Sequence, residues 1–223
     1  MEVAHRRSQP PVYWRKEVES ILISRQRLAR RVHQLALEIQ AEFDGGDLVI
    51  VALLNGTVFF LADLLRQLSL PLRLDFMGVS SYGGGTKTTE MVFTKELRLD
   101  VSGRDVLLVD DILDTGRTLA RVTAKLNKLR PRVIKTCVLL DKPSRRLEKI
   151  TADYVGFIIP NFFVVGYGLD YAERYRNLPF VGVLRPEFYK NPEVIPLLSP
   201  RKQRLLRGLE DEPASSSEGE KGE

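Results

Sequence analysis

The feature that most constrains the fold is a short aliphatic run that leads directly into acidic residues. Residues 106–109 (VLLV) are followed by Asp110 and Asp111, and Asp114 then precedes the turn formed by residues 115–118 (TGRT). Four consecutive aliphatic residues are typical of a strand buried on both faces, as in a parallel sheet. Ligands of such sheets bind beyond the carboxyl ends of the strands. The stretch therefore predicts a buried strand whose end faces a ligand.

Similar strand and helix signals alternate along the rest of the chain. Apolar residues at spacings of three and four over residues 24–43 predict an amphipathic helix, with Ser24 as its cap and Gly45-Gly46 as its stop. Further strands are predicted at residues 48–54, 72–79, 91–99, 133–140 and 154–159, and further helices at residues 58–68 and 118–129. This alternation predicts an α/β fold, a parallel twisted sheet flanked by helices with right-handed crossovers.

Length and composition bound the class of protein. The 223 residues are enough for one well-cored domain, which we place at residues 15–190, after a flexible N-terminal extension (1–14) and before a disordered tail (199–223). No apolar run approaches the length that spans a bilayer, and no signal peptide is evident, so we expect no membrane association. The one cysteine, Cys137, lies in an apolar run and predicts a buried, inert thiol. Together these features favour the cytoplasm.

The net charge of +5 could indicate a nucleic-acid partner. The basic residues, however, cluster in the first 31 positions and near residues 201–207, while residues 209–223 are acidic. This distribution is typical of a solvated surface with charged tails, so we expect no nucleic-acid partner.

The turn after the predicted strand has the chemistry of a phosphate site. A turn that enters a helix offers unpaired backbone N–H groups and the positive end of the helix dipole. The two carboxylates upstream can accept hydrogen bonds from neighbouring hydroxyls or hold Mg²⁺ through water. An ordinary side-chain-capped turn would explain one acid but not three, and the Walker A pattern is absent. A phosphate beside a diol indicates ribose 5-phosphate.

The same stretch closely resembles the phosphoribosyl pyrophosphate signature of type I phosphoribosyltransferases. Four hydrophobic residues, two acids and the pattern D-T-G-x-T match in order, and the resemblance extends over residues 21–186. Asp114 resembles the acid of the hypoxanthine-guanine branch, since relatives that act on adenine, orotate or uracil usually carry another residue there. The resemblance implies transfer of 5-phosphoribosyl to a 6-oxopurine in purine salvage, and a small hood subdomain built from the chain ends.

The resemblance also implies a role for each candidate residue. Asp114 would be the catalytic base, and Asp110, Asp111, Thr115, Gly116, Arg117 and Thr118 would bind the phosphoribosyl group. Asn55, Gly56 and Arg176 would contact pyrophosphate, Lys142, Phe163 and Val164 would bind the purine, and Ser81 and Tyr82 would belong to a closing loop. Mg²⁺ would be the cofactor, held by Asp110, Asp111 and Asp170. A dimer or tetramer is expected, with an unusual peptide bond at Leu54-Asn55.

Two departures from the family pattern and two alternatives remain open. Asn55 stands where some members carry lysine, and Asn161 and Phe162 stand where several carry charged residues. One alternative is an RNA-binding regulator like the pyrimidine-operon attenuation protein, which usually shows tyrosine at the position of Asp114. The other is a phosphoribosyltransferase that prefers xanthine.

Overall fold

The computed structural model describes residues 2–3, 8–43, 47–82 and 90–190, and its main element is a seven-stranded sheet. The strands of this sheet are β1 (Glu2–Val3), β3 (Leu48–Leu54), β4 (Leu72–Tyr82), β5 (Glu90–Lys95), β6 (Asp105–Leu113), β7 (Val133–Asp141) and β8 (Tyr154–Ile158). Their order is β1-β8-β7-β6-β3-β4-β5, and every neighbouring pair is parallel except the antiparallel pair β4–β5. The predicted parallel α/β sheet is confirmed.

Strand β6 lies in the middle of this sheet and is covered on both faces. Alternate residues of a strand point to opposite faces. Leu107 and Val109 accordingly belong to one buried hydrophobic cluster, while Val106 and Leu108 belong to a second, and all four side chains are fully buried. The continuous aliphatic run is therefore explained by two apolar layers rather than one.

Helices supply those layers. They are α1 (Arg25–Glu42), α2 (Val58–Leu65) and α3 (Arg117–Asn127). The apolar faces of α1 and α2 join the first cluster, and that of α3 joins the second. Helix α1 begins as predicted, because the side chain of Ser24 accepts a hydrogen bond from the backbone N–H of Arg27 at 3.4 Å. Its expected stop at Gly45-Gly46 lies outside the described residues.

A second, three-stranded antiparallel sheet is built from both ends of the domain. It consists of β2 (Val18–Ile23), β10 (Val181–Leu184) and β9 (Val164–Val165), in that order. This is consistent with the hood implied by the family resemblance, although β2 and β10 were not among the strands predicted from the residues. Both are short, so their apolar residues give little periodic signal.

The ends of three predicted elements are wrong. The helix predicted at residues 58–68 ends at Leu65, the strand predicted at residues 91–99 ends at Lys95, and the strand predicted at residues 72–79 runs on to Tyr82. Beyond residue 79, β4 continues by pairing with β5, so that Ser81 is paired with Met91 and Tyr82 with Glu90. Backbone hydrogen bonding to the antiparallel neighbour extends the strand beyond its apolar stretch. The glycines at residues 83–85 lie outside the described residues.

Residues 1–185 form one compact unit, and residues 186–223 form a second, in which a short helix, α4 (Pro186–Lys190), is described. Of the extension predicted at residues 1–14, residues 2–3 and 8–14 are described; residues 2–3 form β1, Ser8 bridges Ile21, and residues 12–14 form a 3-10 turn. The three boundaries proposed from the sequence stay predictions. None of the helices within the described ranges is long and apolar enough to cross a membrane.

A buried arginine joins α1 to β8, and this contact can be tested. Arg31 is 5% exposed and donates hydrogen bonds to the carbonyl oxygens of Gly156 (3.0 Å) and Val155 (2.9 Å), while pairing with Glu38 at 2.7 Å. Arg31→Ala should lower the free energy of unfolding by about 2–4 kcal/mol, because buried carbonyls and a carboxylate lose their partner. Urea denaturation measures this loss. The adjacent exposed Arg30, changed to Ala, is the control and should shift stability by less than about 0.5 kcal/mol; equal effects would contradict the assignment.

Candidate active site

The carboxyl ends of β3 and β6 open into one cavity. It has a volume of about 240 Å³ and is lined by Leu53, Leu54, Val79, Asp110, Asp111, Ile112, Leu113, Asp114, Thr115, Gly116, Thr118 and Leu119. Strands β3 and β6 are in parallel register, with Ala52 beside Val109, so both end at the same edge of the sheet. The predicted ligand site is therefore a real concavity, and six of its lining residues are phosphoribosyl or catalytic candidates.

Asp110 and Asp111 are held together at this edge. Asp110 is 8% exposed, and its Oδ1 accepts a hydrogen bond from the backbone N–H of Asp111 at 2.9 Å. Burial, reinforced by the neighbouring Asp111 carboxylate, raises the pKa of Asp110 well above its ordinary value. Burial also raises the pKa of Asp111, against the opposing effect of Arg176. Two desolvated acids side by side form a site that gains stability from a cation or from hydroxyl donors.

The turn beyond these acids is supported from behind by the loop that follows β7. Thr115 O accepts hydrogen bonds from the N–H groups of Leu147 (2.9 Å) and Glu148 (3.1 Å), and Arg146 donates to Asp114 O at 2.6 Å. Gly116 has a φ of 87°. A side chain there would crowd Ile150, Arg146 and Glu148, so only glycine fits.

Helix α3 starts directly after this glycine, at Arg117. The N–H of Arg117 donates to Thr115 Oγ1 at 3.4 Å, and the next N–H groups belong to the first turn of the helix. Such groups have no partner within the helix itself and suit an anion. Thr115, Gly116, Arg117 and Thr118 thus lie together as the sequence predicted.

Asp114 and Lys142 directly follow the neighbouring parallel strands β6 and β7, whose last residues, Leu113 and Asp141, are paired. Lys142 N–H donates to Leu113 O at 3.0 Å, which fixes the lysine beside the acid. The Lys142 side chain is 7% exposed, and burial lowers the pKa of its ammonium, while Asp114 acts in the opposite direction. Asp114 also pairs with Arg145, with Nε 3.2 Å from Oδ1, and both side chains are partly exposed. The sequence did not predict Arg145 or Arg146, since neighbouring arginines in a basic loop give no specific signal.

The loop after β3 lies directly against Asp111, and the loop that contains Gly168 lies against that first loop. The peptide bond Leu54-Asn55 is cis, in agreement with the unusual bond expected there. A side chain at Gly56 would collide with the carboxylate of Asp111. A side chain at Gly168 would collide with the carbonyl oxygen of Gly56. Asn55 is exposed at the tip of this arrangement. Gly168 was not predicted, although glycines that alternate with aromatic and aliphatic residues do indicate a loop.

The loop that contains Gly168 brings Asp170 and Arg176 together. Arg176 Nη1 lies 3.0 Å from Asp170 Oδ1 and donates to Gly168 O at 2.9 Å. Arg176 opposes the rise that burial causes in the pKa of Asp111, so it lies within electrostatic reach of that acid. Asp170 and Arg176, the candidates for metal and pyrophosphate in this loop, are therefore paired with each other, while no close group of three acids forms among the described residues.

The purine candidates Phe163 and Val164 differ in exposure. Val164 is buried in β9, whereas Phe163 is 36% exposed and packs edge-on against Tyr171, with ring centroids 5.5 Å apart. An exposed aromatic ring offers a face on which a planar base can stack. Of the closing-loop candidates, Ser81 and Tyr82 form the end of β4, and the structure describes their backbone pairing alone.

Comparison with known proteins agrees with this arrangement. The chain matches the family described as "Phosphoribosyl transferase domain" over residues 18–172. It is 43% identical over 176 residues to a hypoxanthine-guanine phosphoribosyltransferase of Bacillus subtilis, covering 78% of this chain and 98% of that protein. It is 47% identical to the bifunctional protein TilS/HprT of Listeria innocua, of whose length it spans 27%. A solved hypoxanthine phosphoribosyltransferase from Staphylococcus aureus superposes with a TM-score of 0.77 at 40% identity, covering 80% of this chain and 98% of that one.

The sheet order, the hood and the acidic strand end with its phosphate turn define a type I phosphoribosyltransferase fold. The chain belongs to the phosphoribosyltransferase family, and within it to the hypoxanthine-guanine branch.

The burial of Asp110 predicts that its negative charge lowers the free energy of unfolding. Since its pKa is raised, the folded state loses stability as pH rises through that pKa and the carboxylate ionises. Asp110→Asn keeps the acceptor oxygen but removes the charge, so it should raise the free energy of unfolding at pH 8, with a smaller gain at pH 5. Urea denaturation at both pH values measures this. Asp100→Asn is the matched control, an exposed carboxylate that accepts from Ser102 N at 2.9 Å. A destabilised Asp110→Asn at pH 8 would refute the burial argument.

Proposed function

We propose that this protein transfers the 5-phosphoribosyl group of phosphoribosyl pyrophosphate to hypoxanthine or guanine, giving the nucleoside monophosphate and pyrophosphate in purine salvage. A purine ring nitrogen forms a bond to C1′ of the ribose as the bond from C1′ to pyrophosphate breaks. The observation that carries the proposal is the end of β6, where three acids and a phosphate-type turn line one cavity beside a buried lysine.

Each group of residues that lines the cavity would have its own role in the reaction. The first turn of α3 and the hydroxyls of Thr115 and Thr118 would bind the 5-phosphate, and Asp110 and Asp111 would accept hydrogen bonds from the ribose hydroxyls. Asp114 would accept the proton from N7 of the base. For this proton transfer the ion pair between Arg145 and Asp114 would have to break. Both side chains are partly exposed, and exposed ion pairs are worth about 1 kcal/mol or less, so the cost is small.

Base selection would depend on the lysine. The ammonium of Lys142 is nearly buried, and among the described residues no hydrogen bond or ion pair holds it. A partly desolvated ammonium with no hydrogen-bond partner among the described residues favours an acceptor such as O6 of a 6-oxopurine and disfavours the amino group of adenine. Phe163 would stack on the purine, and the backbone of Val164 would contact its edge.

Mg²⁺ is the cofactor that the acidic residues fit. Among the described residues, no three carboxylate, histidine or cysteine side chains group closely enough to form a metal cage. Mg²⁺ usually takes one or two carboxylates together with substrate oxygens and water, which suits Asp110 and Asp111, with Asp170 nearby. When bound, it would neutralise charge that develops on the leaving pyrophosphate. Arg176 and the backbone of Asn55 and Gly56 would contact the same group.

The two alternatives differ in measurable ways. An RNA-binding regulator would bind RNA tightly and selectively at physiological salt, whereas Asp114 favours an enzyme. A xanthine-preferring enzyme would share every contact above and differ in turnover alone. We further propose a cytoplasmic protein that assembles as a dimer or tetramer.

A spectrophotometric assay tests the proposed reaction. Purified protein receives phosphoribosyl pyrophosphate, Mg²⁺ and one of hypoxanthine, guanine, xanthine or adenine. Turnover is expected with hypoxanthine or guanine and not with adenine. Turnover with xanthine alone would select that alternative, and no turnover with any purine would refute the proposal.

The role of Asp114 is tested by Asp114→Asn, which should reduce kcat by about 10²-fold with little change in KM, the scale of general-base catalysis. The substitution also breaks the ion pair with Arg145. Arg145→Ala breaks the same pair while leaving the carboxylate and is therefore the matched control; its kcat should stay within about 3-fold of the parent, as for an exposed pair. Equal losses in the two variants would mean that the ion pair, not the base, matters.

A further inference from the structure

The loop that carries Asp170 and Arg176 adopts an unfavourable backbone conformation. Ala172, Glu173 and Tyr175 have φ values of 51°, 59° and 76°. Residues other than glycine rarely adopt this left-handed conformation, and those that do are usually held by surrounding contacts. Three such residues next to Arg176 raise the question of what holds the loop in place.

The loop is held by contacts with Glu17, which lies 158 positions before Tyr175 in the sequence. The hydroxyl of Tyr175 donates to Glu17 Oε2 at 2.6 Å, and Arg174 Nη2 lies 3.1 Å from the same oxygen. The Glu17 side chain is 15% exposed, so these charge-assisted contacts are shielded from water. Glu17 is itself fixed, because its carbonyl oxygen accepts from the N–H of Arg185, the residue after β10.

The segment before Glu17 completes the contact. Trp14 packs against the ring of Tyr175, with ring centroids 5.8 Å apart, and Tyr175 is 3% exposed. Arg174 lies over the other part of this aromatic ring, 5.1 Å from its centroid. The N-terminal segment thus covers the two residues that directly precede Arg176.

We propose that Glu17 is a positioning residue for phosphoribosyl pyrophosphate, acting through Tyr175 and Arg174 on the loop that presents Arg176 and Asp170. This inference rests on the function proposed above. Within the part of the chain that the structure describes, the hydrogen bonds of Glu17 are to Trp14, Arg174, Tyr175 and Arg185, none of them a candidate substrate residue. Its loss should therefore weaken binding of the pyrophosphate-bearing substrate while leaving the purine contacts of Lys142 intact.

The chain contains a matched control for this contact. Glu42 also accepts a hydrogen bond from a buried tyrosine hydroxyl, that of Tyr154, and also pairs with a cation, Lys135, at 2.8 Å. Lys135 lies near the amino end of β7, at the edge of the sheet opposite the cavity. Glu42→Ala therefore removes the same chemistry without affecting the loop.

Steady-state kinetics on the full chain, with each substrate varied in turn, test the proposal. Glu17→Ala should raise KM for phosphoribosyl pyrophosphate by about 10-fold, the effect of losing one charge-assisted hydrogen bond, and leave KM for the purine within about 2-fold. Tyr175→Phe, which removes the hydroxyl alone, should shift the same constant. Glu17→Gln keeps an acceptor oxygen for Tyr175 and should restore part of the affinity. Glu42→Ala and Tyr154→Phe should leave both KM values unchanged.

Trp14 provides a second measurement that does not depend on activity. It is the one tryptophan of the chain, so quenching of its emission by iodide reports the contact with Tyr175. Quenching should increase in Glu17→Ala and Tyr175→Phe but not in Glu42→Ala. Equal rises in both KM values, a fall in kcat alone, or a Glu42→Ala that matches Glu17→Ala would overturn the inference. An inactive parent protein would instead refute the proposed function.

Discussion

The parallel alignment of β3, β6, β7 and β8 is the constraint on which the site depends. In the parallel register, Val109 of β6 lies between Ala52 of β3 and Cys137 of β7, so the three strands end at one edge. Parallel strands are buried on both faces and need crossover connections; α2 joins β3 to β4 and α3 joins β6 to β7, while α1 precedes β3 and covers the same face as α2. Every polar group that follows a strand is therefore brought to the same side of the sheet. Without that register, the acids of β6 would have no phosphate turn or lysine beside them.

Close backbone contacts then convert an edge into a cavity. Gly56 lies against the carboxylate of Asp111, Gly168 lies against the carbonyl of Gly56, and Gly116 lies against the loop after β7. In each place a Cβ atom would force neighbouring groups apart, so the glycines determine how closely the loops approach. The same closeness buries Asp110 and Asp111 and raises their pKa values. The protein thus tolerates two unfavourable charges at a position where a ligand would stabilise them, a common property of functional sites.

The sequence predicted the features that depend on residues close together in the chain, and it did not predict contacts between residues far apart. The aliphatic run of β6, the apolar period of α1 and its Ser24 cap are local patterns, and each is confirmed. The acids and turn could be assigned to a ribose phosphate from their chemistry, and the family branch from Asp114. Contacts such as Glu17 with Tyr175, or Arg145 with Asp114, join residues 158 and 31 positions apart and leave no periodic trace. The end of β4 was missed because pairing with β5, rather than side-chain pattern, extends it.

The central claim is that the end of β6 and the start of α3 form one ribose phosphate site. A crystal structure of the protein with guanosine 5′-monophosphate bound would test this claim most directly. The account predicts that the 5′-phosphate accepts hydrogen bonds from the backbone of residues 115–118, with the ribose hydroxyls at Asp110 and Asp111 and the base oxygen O6 at Lys142. A nucleotide bound elsewhere, or bound here with its phosphate away from this turn, would contradict the account.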